Sequence, residues 1–79
     1  QKLEGLTFCV TGKTKQWKNR DELSSFITSL GGKVVGSVSA NMDYLINNDI
    51  NSTSSKNLRA KELGKQIIDE QTFMDMFDL

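Results

Sequence analysis

Apolar residues along this chain come in short clusters parted by polar stretches, and their spacing alternates between that of strands and that of helices. Residues 6–10, Leu-Thr-Phe-Cys-Val, form a β-prone apolar run stopped by Thr11-Gly12, which predicts a buried strand. After a polar loop, Asn19-Arg20-Asp21-Glu22 resembles a helix start, with Asn19 as cap and Glu22 at the third helical position of a capping box. Leu23, Phe26, Ile27 and Leu30 then follow at i, i+3, i+4 and i+7, one face of a helix. Gly31 ends it, because glycine takes the left-handed conformation at little cost. Residues 33–38 (Lys-Val-Val-Gly-Ser-Val) predict a second strand with Gly36 as a bulge, and residues 43–46 (Asp-Tyr-Leu-Ile) a short third.

Residues 47–54 are rich in Asn, Ser and Thr and read as a loop. Ser54 or Ser55 caps a second helix that runs to about Leu63 and closes at Gly64; its apolar content is thin, with Leu58, Ala60 and Leu63. Gln66-Ile67-Ile68 is a fourth strand, and Asp69 caps a last helix in which Phe73, Met76 and Phe77 share a face. The order β-α-β-β-α-β-α implies right-handed crossovers and an α/β fold whose mainly parallel sheet carries helices on its faces. No proline interrupts these elements, and no repeat or long linker divides residues 1–79, so they are read as one domain.

Composition narrows the function. A chain of 79 residues with 37% hydrophobic content can fold, but it cannot supply both a core and a large catalytic cavity. It has no histidine and one cysteine, which removes histidine triads, an internal disulfide and a zinc site. Asp43 and the C-terminal acids are too scattered for a metal. Cys9, inside an apolar run, reads as a small buried hydrophobe rather than a nucleophile. No stretch approaches the roughly 20 apolar residues of a membrane span and no signal peptide is visible, so the expected compartment is the cytoplasm or the nucleus. The formal net charge is zero but uneven. Residues 13–20 hold Lys13, Lys15, Lys18 and Arg20 without an acid, whereas residues 69–79 hold Asp69, Glu70, Asp75 and Asp78 without a base. Read plainly, these are two solvated surface segments; a local basic face is nonetheless what nucleic acid needs.

An ordered set of short pieces runs along nearly the whole chain: Leu3-Glu4-Gly5-Leu6-Thr7-Phe8, Val10-Thr11-Gly12, Arg20-Asp21-Glu22, Leu30-Gly31-Gly32-Lys33-Val34, Gly36-Ser37-Val38-Ser39, Asp43-Tyr44-Leu45-Ile46, Ser55-Lys56, Ala60-Lys61-Glu62-Leu63-Gly64, Ile67-Ile68-Asp69-Glu70 and Phe73. No piece is specific alone; the set in this order resembles a BRCT domain, most closely the type in bacterial NAD-dependent DNA ligases and the large subunit of replication factor C. The resemblance implies a four-stranded parallel sheet flanked by three helices, two on one face and one on the other, as a fragment of a larger protein. The family often carries a tryptophan in the last helix, where this chain has Phe73; its one tryptophan, Trp17, is in the first loop. That departure argues against a close relative of the tandem phosphopeptide readers, and no second repeat lies within these residues.

Ligands of open α/β sheets bind beyond the carboxyl ends of the strands, near helix N-termini. The resemblance places a phosphate there, held by Thr11 and Gly12 after the first strand and by Lys56 early in the second helix, with Ser54 orienting the lysine and Arg20 opening the first helix beside the phosphate. Taken singly, Thr11-Gly12 is also an ordinary strand-ending turn and Lys56 an ordinary surface lysine. Lys13, Lys15 and Lys18 would touch flanking backbone, and Trp17, an exposed or semi-exposed loop residue, either stays in solvent or stacks on a base. The first expectation is a module without catalytic residues or cofactor that binds nicked or 5′-phosphorylated DNA, from the nucleoid-associated cytoplasm of a bacterium or from a nucleus. The alternative is a protein-docking module, phosphopeptide partners included, using Trp17 and the Met74/Met76 region. No acid, base and nucleophile combine into an enzyme site.

Overall fold

Each helix begins where a short polar side chain can accept from the otherwise orphaned N–H groups of a first turn. In the computed structural model, which describes residues 1–79, Asn19 Oδ1 accepts from Glu22 N at 2.9 Å and starts α1 (Arg20–Ser29). Ser54 Oγ accepts from Asn57 N at 3.4 Å and starts α2 (Ser55–Glu62), and Asp69 Oδ1 accepts from Thr72 N at 2.7 Å and starts α3 (Glu70–Met76). Of the two serines considered for α2, Ser54 is therefore the cap. Only half of the expected capping box forms on α1, since no bond returns from Asn19 N to Glu22. Gly31 closes the α1 turn at φ +89. Its neighbour Gly32 is needed for space, because a Cβ there would lie 2.7 Å from Ile27 Cγ2.

The strands are β1 (Thr7–Val10), β2 (Lys33–Val34), β3 (Tyr44–Ile46) and β4 (Gln66–Ile68), in spatial order β2-β1-β3-β4 and all parallel. This is the expected α/β architecture and element order. Side-chain alternation along the strands separates two cores. Phe8, Val10, Ile46 and Ile68 face α1 and α3, where they meet Leu23, Ile27 and Phe73. Cys9 and Leu45 face α2, where they meet Met42 and Ala60. Helices cover both faces, so Tyr44 is half-buried in the first core while Leu45 is buried in the second.

Four local expectations need correction. The second strand stops at Val34 instead of continuing to Val38: the last pairing bond to β1 is Val35 N to Phe8 O at 2.9 Å, after which the chain bends at Gly36-Ser37 and leaves β1, although β1 itself runs on to Val10. Gly36 lies beyond that strand and is no bulge. On α3 the inward face is Glu70, Phe73, Met74 and Phe77, at i, i+3, i+4 and i+7, and Met76 is 40% exposed. Glu70, read as solvated, is thereby turned inward and is 1% exposed.

Candidate functional site: a basic cleft at the carboxyl end of the sheet

Where β1 ends, the chain turns through Gly12 at φ +79. A Cβ on Gly12 would lie 2.7 Å from Asn47 Oδ1, so both the backbone conformation and the packing behind it require glycine. Asn47, at the end of β3, is itself fixed: its Nδ2 donates to Asn57 Oδ1 at 2.8 Å, and its Oδ1 accepts from Asp49 N at 2.9 Å. Asn57 in turn donates to the carbonyls of Asp49 and Ile50 at 3.4 and 3.1 Å. Asn47 and Asn57 are both buried, and this network satisfies them. It ties the loop after β3 to the first turn of α2.

These turns enclose a cleft of about 580 Å³ lined by the 11–15 segment, by Asn47, Asn48 and Asp49, and by Ser52 and Ser54. A second cleft of about 420 Å³ adjoins it, lined by Lys18, Asn19 and Arg20 and sharing Gly12, Lys13 and Thr14 with the first. No apolar residue lines either. Thr11 N is committed to the sheet, donating to Ile46 O at 3.0 Å, and the N–H groups of Lys15 and Gln16 donate to Glu70. Between them, the backbone N–H groups of Gly12, Lys13 and Thr14 donate to no protein acceptor. Successive free N–H groups at a turn containing a left-handed residue are suited to an anion. The N-terminal ends of α1 and α2 open at the same end of the sheet; the first turn of α2 holds no acid, whereas Asp21 and Glu22 occupy that of α1. Asp49 is the one carboxylate of the rim.

The expected site residues fall out as follows. Thr11, Gly12, Lys13, Lys15 and Ser54 line the first cleft, and Lys18 and Arg20 join Gly12 and Lys13 around the second. Lys56 is half-buried and lines neither. Its charge and that of Arg20 are both felt at Cys9, whose thiol is pushed up by burial and pulled partly back by these two cations. Trp17 is half-buried with its ring centroid 5.2 Å from that of Phe26 and 6.4 Å from that of Phe73, so the indole reaches the last helix from the first loop and lies outside both clefts. Thr14, Asn47, Asn48, Asp49 and Ser52 also line the first cleft, although the sequence marks the two asparagines only as loop formers. No group of three or more His, Cys, Asp or Glu side chains is placed to hold a metal, and no helix is long and apolar enough to cross a membrane.

Residues 1–77 match the family model described as the BRCA1 C Terminus (BRCT) domain. The chain is 49% identical over 78 residues, 99% of its length, to a DNA ligase of Lachnoclostridium phytofermentans. It is 52% identical over 75 residues, 95% of its length, to a DNA ligase of Ruminiclostridium cellulolyticum. A DNA ligase of Thermotoga maritima is 45% identical over 73 residues, 92% of the chain. The matched region covers only 12%, 11% and 10% of these relatives, so the likeness is to one segment of each. With the parallel sheet and its three helices in the expected order, the match over nearly every residue establishes that this chain belongs to the BRCT family.

Proposed function

We propose that this chain is a non-catalytic DNA-binding module of a bacterial NAD-dependent DNA ligase, working in the cytoplasm at the nucleoid, and that it holds the 5′-phosphate of a nick or recessed end. The observation that carries the reading is the run of free N–H groups at Gly12, Lys13 and Thr14 in a cleft lined by no apolar residue, rimmed by Lys13 and Lys15 and adjoined by Lys18 and Arg20. Thr11 and Gly12 would meet the terminal phosphate, Ser54 the far wall of the cleft, and Arg20, Lys18 and Lys13 the phosphates beyond. Lys56 would supply charge from the first turn of α2. The likeness to DNA ligases supports DNA rather than a phosphoprotein as the ligand. A protein-docking role loses part of its motive, because Trp17 and Met74 are packed against the core, while Met76 stays exposed.

Fluorescence anisotropy tests the reading with nicked duplexes that differ only in the 5′-phosphate, over a salt series. Affinity should fall steeply with salt, as phosphate contacts release counterions. The phosphate should strengthen binding about tenfold or more, the size of one charged contact, and Lys13→Ala together with Arg20→Ala should shallow the salt slope by about 2. Binding indifferent to both phosphate and salt overturns the reading in favour of protein docking.

A further inference from the structure

A carboxylate is buried beside this cleft with no cation bonded to it. Glu70 is 1% exposed, at the first position of α3. Its Oε2 accepts from Lys15 N at 2.8 Å and from Asn48 Nδ2 at 2.7 Å, and its Oε1 accepts from Gln16 N at 2.7 Å. All three donors are neutral amides. Asn48 closes the arrangement from the other side: its Oδ1 accepts from Glu70 N at 2.9 Å, and its Nδ2 also donates to Lys13 O at 3.0 Å. Burying a carboxylate is costly unless strong hydrogen bonds replace its hydration, and short bonds from backbone N–H groups to an ionised acceptor are among the stronger ones. A glutamine in its place would turn one acceptor into a donor facing a donor.

The loop between β1 and α1 is thus pinned at its two ends, with the Asn48 Nδ2 bond to Lys13 O as a tie between them. Thr11 N is held by Ile46 O in the sheet, and Lys15 and Gln16 are held by Glu70. Between the pins lie Gly12, Lys13 and Thr14, whose N–H groups are free and which line both clefts. We infer that Glu70, seconded by Asn48, is a positioning residue for the phosphate cleft: its carboxylate occupies the Lys15 and Gln16 amides and so fixes the 12–14 segment in the conformation that receives the anion. The role rests on the phosphate-binding reading above. It also narrows that reading, since the Lys15 and Gln16 amides are already spent on an internal anion and the ligand is confined to the Thr11–Thr14 side.

The test compares wild type with Glu70→Gln and Asn48→Ala by two readouts on the same samples. The first is amide exchange at Lys15 and Gln16 against Thr11. The second is the ratio of affinities for nicked duplex with and without its 5′-phosphate. In Glu70→Gln the Lys15 and Gln16 amides should lose protection while Thr11 keeps it. The phosphate ratio should fall about tenfold toward unity, as if one charged contact had gone, with binding to unphosphorylated duplex little changed. Asn48→Ala should move both readouts the same way by less; because Asn48 itself lines the cleft, its amide readout decides the matter if Glu70→Gln does not fold. A Glu70→Gln chain that frees the two amides yet keeps the wild-type ratio overturns the positioning role and leaves phosphate binding standing. Amides that stay protected in both variants overturn the carboxylate pin itself. A wild type blind to the phosphate overturns the underlying reading, and the positioning role with it.

Discussion

On the face of the sheet covered by α1 and α3, the core is large and aromatic. Phe8 packs edge-on against Phe73 and Phe77, with centroids 5.5 and 6.0 Å apart, and stacks with Tyr44 at 5.7 Å. On the face covered by α2, the buried apolar residues are Cys9, Met42, Leu45 and Ala60. Leu58, one of the few apolar residues of α2, is 46% exposed, and the helix presents Asn57 and Ala60 inward. One helix layer is thus held by apolar area and aromatic geometry, the other in good part by the amide network of Asn47 and Asn57. The division matches the proposed role: the α2 side carries Ser54, which lines the cleft, and polar bonds orient such a wall more closely than apolar contact does. The cost is cooperativity, since a helix with little buried apolar surface opens locally more easily than the body it rests on.

The sharpest way to break this comparison is to cut into each face in turn. Phe73→Ala should destabilise the whole chain by about 3–5 kcal/mol, seen as a lower urea midpoint, because a large buried ring leaves a cavity between two helices. A loss under about 1 kcal/mol would show that the aromatic face is not the anchor. Asn57→Ala should cost less, about 1–3 kcal/mol, as Asn47 Nδ2 and the Asp49 and Ile50 carbonyls lose a partner. Its signature should be local: amide exchange should accelerate through α2 while β1 amides follow only the global change. Uniform acceleration would mean the two faces form one cooperative unit. The smallest effect, about 1 kcal/mol, is expected from Asp69→Ala at the start of α3. The Thr72 hydroxyl and N–H hold the Asp69 carboxyl below its usual range. Its contribution is therefore complete above the unfolded-chain value near 3.9 and disappears as pH falls through the lower folded value. Wild type and Asp69→Ala should accordingly differ in urea midpoint at pH 7 and converge in strong acid.

Element order, caps and the alternation of buried positions were legible in the sequence, because each depends on neighbours a few residues away. Asn19, Gly31 and Asp69 act as their types and places suggest. The failures occurred where a distant partner decides. Residues 35–38 leave β1, although it runs on to Val10, and place Val35 and Val38 against the α2-side core, a distant contact that their strand-like composition does not express. Glu70 looked like one more surface acid beside Asp69 and Asp75, yet its donors lie 54 and 55 positions away in the first loop. A local signal was available in the spacing of Glu70, Phe73, Met74 and Phe77, which marks a single face once the glutamate is admitted to it. Likewise, Thr11, Gly12 and Arg20 were named from motif positions, but the asparagines that shape the cleft became visible only when β3 was seen beside β1.

The shortness of the outer strands has a further effect on how this chain behaves among its own copies. A sheet exposes unpaired N–H and C=O groups along its edges, and long flat edges invite other chains to add strands. Here the edges are β2, with two residues, and β4, with three. Lys33 is charged and exposed on the first, and Gln66 is exposed on the second. Neither edge offers a ladder long enough to template another strand, so this small parallel sheet resists edge-to-edge aggregation without a proline anywhere in the chain.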